Sequence, residues 1–161
     1  MLNVYLNNKN KALSSLPVLV GRFAILIFFV VLGLAPSHSI ASSPVSIVVN
    51  SSVDINELSL KDVRAIFTMK KRLWVDGKQV RVFVLPDDDS LHKQFCIKVL
   101  GVFPRQLESV WYRLVYSGTG HAPTEVGSEQ ELLERVANTD GAIGYIQSVS
   151  ENDKTKIITI K

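Results

Sequence analysis

One stretch decides the fold class, Gln79-Val-Arg-Val-Phe-Val-Leu-Pro-Asp-Asp-Asp-Ser-Leu91. Beyond Arg81 its first half is apolar on both faces of an extended strand, which is typical of a sheet covered on both sides. Pro86 ends this strand, and the acidic run that follows suits the start of a helix, where carboxylates cap free N–H groups. The stretch therefore predicts a strand, a turn and a helix in succession, as in an α/β protein.

The rest of the chain continues this alternation. Strands are predicted at 45–49, 79–85, 142–146 and 156–160, and helices at 60–67, 91–100, 104–116 and after Ser128. Ser59 is a good N-cap for the first of these helices, Pro104 suits a first helical turn, and Gly101 suits a helix end. We expect an α/β fold with a mixed sheet and helices on both faces.

The first 41 residues have the pattern of a secretory signal peptide. Residues 1–22 carry three basic residues and no acidic one, and an unbroken apolar run of 13 residues follows from Phe23 to Ala35. A helix that spans a membrane needs about 20 apolar residues, so an uncleaved anchor is the weaker interpretation. Small residues at the −3 and −1 positions predict cleavage after Ala41, which leaves a domain at 42–161.

Charge and cysteine use restrict the function of that domain. The whole chain has 18 basic and 15 acidic residues, and three of the basic ones lie in the leader, so residues 42–161 are formally neutral. This balance gives no reason to expect a nucleic-acid or acidic-lipid partner. Cys96 is the chain's one cysteine, so no internal disulfide is expected, and its place beside an apolar helical face predicts a buried, inert thiol.

No enzyme motif is present in the sequence. It has no Gly-x-Ser-x-Gly, no His-Glu-x-x-His and no phosphate-loop pattern. Asp89, Ser90 and His92 are residue types of a catalytic triad, but neighbours on one helical turn point in different directions. The run 87–89 lacks the spaced ligands and the glycine of a calcium loop, so helix capping is its better interpretation. We therefore expect neither catalysis nor a metal site nor a cofactor.

Two loops are candidates for ligand binding. The first is the helix start at Asp88, Asp89 and Ser90, because free N–H groups there attract anions and because ligands of open α/β sheets lie beyond the carboxyl ends of strands. The position of this loop at a helix start favours an anion, but its neighbouring carboxylates would repel one. The second is a glycine-rich loop whose polar side chains are Ser117 and Thr119. A helix stop is the alternative interpretation of its glycines.

Two segments carry a family resemblance. The first is Leu60-Lys-Asp-Val-Arg-Ala-Ile-Phe67, followed by Trp74, which resembles the short helix of periplasmic phosphate-binding proteins that ends in Ile-Phe and leads to a Trp. Gly141-Ala-Ile-Gly-Tyr145 is similar to their Gly-Ala-Ile-Gly-Tyr strand. With the elements between them in the expected order, residues 45–146 resemble the type 2 periplasmic-binding-protein family, and most of all its short phosphate-transporter-like members of little more than one lobe.

The resemblance implies a single lobe of that fold in an exported, periplasmic, ABC transporter substrate-binding-like protein. It implies phosphate or another small anion as ligand, and a membrane transporter or sensor component as partner. Phosphate-binding members carry an Arg and then Asp-Gly-Ser-Gly-Thr at the strand-to-helix turn, of which this chain matches only Asp88 and Ser90. The alternative function is therefore a non-enzymatic envelope adaptor that docks on a transporter, porin or sensor without binding phosphate tightly.

Overall fold

Strands and helices alternate in the computed structural model, which describes residues 44–147 and 153–161; the predicted signal peptide lies outside them. The elements are β1 (Ser46–Asn50), β2 (Glu57–Leu58), α1 (Leu60–Phe67), β3 (Arg81–Val84), α2 (Ser90–Gln94), its π-helical continuation (Phe95–Leu100), α3 (Pro104–Tyr116), β4 (Thr124–Glu125), α4 (Glu129–Ala137), β5 (Ala142–Ile146) and β6 (Thr155–Ile160). The α/β class predicted from the sequence is confirmed.

The described strands form one mixed sheet in the order β2-β6-β1-β5-β3-β4. Strand β1 pairs antiparallel with both of its neighbours, whereas the other pairs are parallel, so β1 alone runs against the rest. Helix α4 packs on the face of Gly144, and α1 contacts Tyr145 on the opposite face, since successive strand residues point to opposite sides. The sheet therefore has helices on both faces, as predicted.

Close packing contacts require the two glycines of the Gly141–Tyr145 segment. Gly141 has φ 71°, and a Cβ there would lie 2.3 Å from the backbone oxygen of Gln79. Its own carbonyl accepts a hydrogen bond from Trp74 Nε1 at 2.9 Å. A Cβ on Gly144 would lie 2.5 Å from Leu132 Cδ2, so glycine lets α4 approach the sheet closely. The segment that carries the family resemblance is thus a core-packing segment.

Aromatic side chains join the same segment to the helices on the other face. The Tyr145 ring stacks on Phe95 with centroids 4.0 Å apart and lies 6.0 Å from Phe67 of α1. Trp111 Nε1 of α3 donates to the Phe67 backbone oxygen at 2.8 Å. Trp74 and Trp111 are 5% and 7% exposed, so both are core residues.

Local differences from the sequence prediction have simple causes. The edge strands β2 and β4 were not predicted because two residues are too few to show alternation. The predicted second helix is α-helical only to Gln94, and Gly101 ends its π-helical continuation with φ 70°. Val115 follows buried Leu107 and Trp111 at a spacing of four residues but is 44% exposed, because each such step turns the side chain about 40° further around the helix. No helix within the described ranges is long and apolar enough to cross a membrane.

Candidate functional site

The acidic turn at the carboxyl end of β3 is a self-capped helix start. Asp89 is the N-cap of α2, and its Oδ1 accepts hydrogen bonds from the backbone N–H groups of Leu91 at 2.7 Å and His92 at 3.1 Å. The capping interpretation is confirmed. A carboxylate of the chain itself therefore bonds the N–H groups that the predicted anion site needs.

The start of α4 is bonded in the same way. Glu131 Oε2 accepts from the Gly127 N–H at 2.9 Å, and Ser128 Oγ accepts from the Glu131 N–H at 3.2 Å. Glu129 Oε1 accepts at 2.8 Å from the N–H of Gln147, the residue after β5. Because β3, β4 and β5 are parallel, their carboxyl ends share one edge of the sheet. We call it the acidic edge, formed by Asp87, Asp88, Asp89, Glu129 and Glu131.

Below the acidic turn lies a buried histidine. His92 Nδ1 is 2.5 Å from Tyr145 Oη, which accepts a hydrogen bond from the Leu85 N–H at 2.8 Å. We assign the Tyr145 hydroxyl as the donor to Nδ1, because a carboxylate faces the other ring nitrogen, which places the proton of the neutral ring on Nε2. That nitrogen is 3.4 Å from Asp87 Oδ1 and 3.4 Å from Cys96 Sγ. The turn is thus hydrogen-bonded into the core.

The groups around this histidine are not arranged for catalysis. Burial lowers the pKa of His92, although the charges of Asp87 and Asp89 oppose that change. Burial also raises the pKa of Cys96 to about 12, so its thiol is protonated at neutral pH. A nucleophilic cysteine must be a thiolate, so the predicted inert thiol is confirmed. Asp87 and Cys96 also contact the same ring nitrogen, whereas a triad uses both nitrogens of its histidine.

A groove opens beside the acidic turn, between α2 with its continuation and the start of α3. Its volume is about 580 Å³. Ile97 and Phe103 are 52% and 64% exposed there, and Lys93 Nζ donates to the Asp88 backbone oxygen at 2.7 Å. We call it the apolar groove; its lining residues are Asp87, Asp88, Lys93, Ile97, Phe103, Pro104 and Arg105.

Ser117 and Thr119, predicted as ligand residues, lie at the other end of α3. Their hydroxyl oxygens are 2.7 Å apart, and the Arg72 guanidinium donates to the Thr119 backbone oxygen at 2.6 Å. Helix α3 has 13 residues, which makes it about 20 Å long at 1.5 Å per residue. Only its first residues line the groove with Asp88. The structure therefore does not bring the two predicted ligand loops into one site.

A second cavity, which sequence reasoning missed, lies on the α4 face of the sheet. It has a volume of about 390 Å³ and no Asp or Glu in its lining. We call it the basic cavity. Its one available sequence signal was Arg81, the single charged residue of an otherwise apolar strand. Its polar lining residues are Gln79, Arg81, His121, Thr124, Arg135 and Thr139.

No metal centre accompanies either region. Among residues 44–147 and 153–161, no group of three or more His, Cys, Asp or Glu side chains is placed to hold a metal ion.

Solved structures with a similar fold include phosphate transport receptors. An ABC-type phosphate transport receptor from Vibrio cholerae matches with TM-score 0.57 and 16% identity over 73% of this chain and 46% of its own. A phosphate ABC transporter substrate-binding protein from Clostridium perfringens, solved with bound phosphate, matches with TM-score 0.60 and 15% identity over 73% and 45%. PstS from Borrelia burgdorferi matches with TM-score 0.54 and 12% identity over 73% and 47%.

These matches establish the fold that the resemblance implied. The described domain has the fold of a phosphate-receptor lobe of the periplasmic-binding-protein type, and the chain spans less than half the length of each matched protein. No protein-family model and no curated protein matches the sequence.

Proposed function

We propose that this chain works in the periplasm as a non-enzymatic, solute-binding-like protein of phosphate or small-anion transport, exported by the signal peptide at 1–41. The observation that carries the proposal is the likeness of its fold to phosphate transport receptors over 73% of the chain. The basic-apolar-small order of the leader supports export. Its partner would be the membrane component of an ABC-type transporter.

In this proposal the acidic edge does not hold phosphate tightly. An anion at the start of α2 would have to displace the Asp89 carboxylate from two N–H groups. Asp88 and Ser90 are exposed at the same turn and remain the residues that a solute would meet there. Ser117 and Thr119 would serve only a separate contact at the far end of α3.

Titration calorimetry of the purified protein with phosphate tests this function. We expect measurable heat, and a rise in melting temperature when phosphate exceeds its dissociation constant, because a ligand of the folded state stabilises it by mass action. Absence of both heat and thermal shift at millimolar phosphate, sulfate and simple carboxylates would overturn the proposed anion binding.

A second candidate function is favoured by the apolar groove. Exposed Ile97 and Phe103 lie beside the acidic turn, and exposed apolar patches mark contact sites. The protein would then dock on a transporter, porin or sensor component through this groove. Its partner would present an apolar side chain to the groove and a basic group to Asp87 and Asp88, because both carboxylates line its wall.

Crosslinking in intact cells distinguishes the two candidates. A photoreactive amino acid at position 97 should capture a specific envelope protein, and Phe103→Asp should abolish that adduct. Tyr116→Asp is the matched control, since Tyr116 is 85% exposed on α3 but outside the groove lining. Equal capture by both variants would remove the support for docking and leave anion binding as the proposal.

A further inference from the structure

We infer that the basic cavity is an anion site, which takes a phosphate group, free or as a monoester, between Arg81 and Arg135. The inference rests on the proposed function for the ligand class and moves the contact away from the helix starts at the acidic edge. Its basis is the placement of donors around one cavity and their bonding state.

The fold brings the two arginines to the same side of the sheet. Arg81 pairs with Ala142 in the β3–β5 register, and paired residues point to the same face. Ala142 shares its face with Gly144, on which α4 packs. Arg135 belongs to α4 and lines the same cavity. One guanidinium therefore comes from the strand and the other from the helix that covers it.

Both guanidinium groups keep donors for a ligand. Within the part of the chain that the structure describes, Arg81 takes part in no side-chain hydrogen bond or ion pair. Arg135 meets Glu131 Oε1 at 3.7 Å through Nε, which leaves its two terminal nitrogens. A guanidinium presents up to five N–H donors in a planar fork and binds oxyanions through two parallel bonds. Two such forks with open donors suit one phosphate group.

The remaining lining is compatible with an anion. Thr124 and Thr139 add hydroxyl donors, and the lining holds no carboxylate. The negative end of the α4 dipole is bonded within the protein, since Asn50 Nδ2 donates to the backbone oxygens of Val136 at 2.8 Å and Ala137 at 3.0 Å. With two guanidinium groups and no carboxylate, the lining carries a formal positive charge, while Glu131, outside the lining, pairs with Arg135.

The size of the cavity extends the ligand class beyond inorganic phosphate. A volume of about 390 Å³ lies within the range of small-molecule sites, roughly 300–1,000 Å³. Met69 and Pro123 contribute apolar wall. A phosphate group between the arginines would leave space for an organic group against this wall. A phosphate monoester is thus accommodated as well as the free ion.

Calorimetric titration of the purified full-length protein with inorganic phosphate, phenyl phosphate and sulfate tests the site. We expect Arg81→Gln and Arg135→Gln each to weaken phosphate or phenyl phosphate binding at least about tenfold, because each removes charge-assisted hydrogen bonds. Arg81→Lys should bind with intermediate affinity, since it keeps the charge and loses the fork. Arg113→Gln, an exposed arginine outside the cavity lining, should bind like the wild type.

The results of this titration distinguish failure of the basic cavity as the binding site from failure of anion binding by the whole protein. Undiminished phosphate binding in Arg81→Gln and Arg135→Gln, with wild-type melting temperatures, would overturn the basic cavity as the site and leave anion binding intact. Binding of phenyl phosphate but not of inorganic phosphate would support the cavity and identify the monoester as its ligand. Failure of the wild type to bind any probe would overturn both the site and the proposed anion function.

Discussion

The acidic edge lies at the carboxyl end of β3 and the basic cavity on the α4 face of the same strand, and the two differ in the state of their hydrogen-bond donors. At the acidic edge, backbone N–H groups of Leu91, His92, Gly127 and Gln147 are bonded by the chain's own carboxylates. In the basic cavity, two guanidinium groups retain open donors. A helix start is therefore an anion site only when its own side chains leave the N–H groups unbonded.

The two regions also differ in how far they are joined to the core. Asp87 at the acidic edge contacts buried His92, and His92 bonds Tyr145 in the central sheet. Arg81 and Arg135 are exposed and line their cavity. The acidic edge should therefore be structural and the basic cavity functional, and substitutions in each can separate these roles.

The largest effect is expected from Tyr145→Phe, below the acidic edge. Without the hydroxyl, the buried Leu85 N–H loses its acceptor and His92 Nδ1 loses its donor. Each unsatisfied buried group costs about 1–3 kcal/mol, so the loss of two partners should lower the free energy of unfolding by roughly 2–6 kcal/mol. Urea denaturation measures it. Tyr116→Phe, at an 85% exposed residue, is the control and should change little; equal stability of the two variants would contradict this hydrogen-bond network.

Acidification should destabilise the same network. Burial lowers the pKa of His92, so between this value and the unfolded pKa, about 6.5, the unfolded state binds the extra proton. Stability from His92 is then complete above about pH 6.5 and is lost as the pH falls towards the folded pKa, by at most about 1.4 kcal/mol per pH unit. Protonation of Nδ1 would also turn this nitrogen into a donor, so the Tyr145 hydroxyl could no longer donate to it.

Denaturation curves at pH 7.5, 6.5 and 5.5 measure this loss in the wild type and in His92→Asn. Carboxylates titrate in both proteins, so their contribution cancels in the difference. We expect the wild type to lose more stability on acidification than the variant does. The same pH dependence in both proteins would show that His92 is not the group whose protonation opposes folding.

The fold was predictable because the residues that carry the family resemblance are also those that hold the core together. Trp74 bonds the Gly141 carbonyl, and the Phe67 ring lies 6.0 Å from that of Tyr145. Gly144 is required by the close approach of α4. Because these residues are required by core packing, their pattern predicted the sheet, the helices and the order of the elements along the chain. It did not predict which residues bind a ligand.

The site was harder to predict because it depends on geometry between distant residues. The sequence places Asp89 at a helix start, but only the folded structure shows that the Asp89 carboxylate bonds two N–H groups of its own helix. Arg81 and Arg135 meet in one cavity only because β3 pairs with β5 and α4 packs on β5. Neither arginine belongs to a local motif, so spacing alone could not join them.

A smaller effect is expected from Asp89→Ala, which removes the cap at the acidic edge. The N–H groups of Leu91 and His92 would then lose their acceptor. Loss of an N-cap costs about 1 kcal/mol, so the free energy of unfolding should fall by about that amount in urea. Asp88→Ala is the matched control, because Asp88 is exposed and its side chain caps nothing. If the two variants are equally stable, Asp89 is not a structural carboxylate.

The smallest change in stability is expected in the basic cavity, from Arg81→Gln and Arg135→Gln. Arg135 has one ion pair, with Glu131 on the same exposed helix face, and such a pair contributes little. Surface substitutions of this kind usually change the free energy of unfolding by less than about 0.5 kcal/mol, which urea denaturation would show here. Destabilisation by more than about 1 kcal/mol would instead make the arginines structural and remove the contrast with the acidic edge. Unchanged stability with weakened phosphate binding, in the same two proteins, is the combination that only a binding role for the cavity produces.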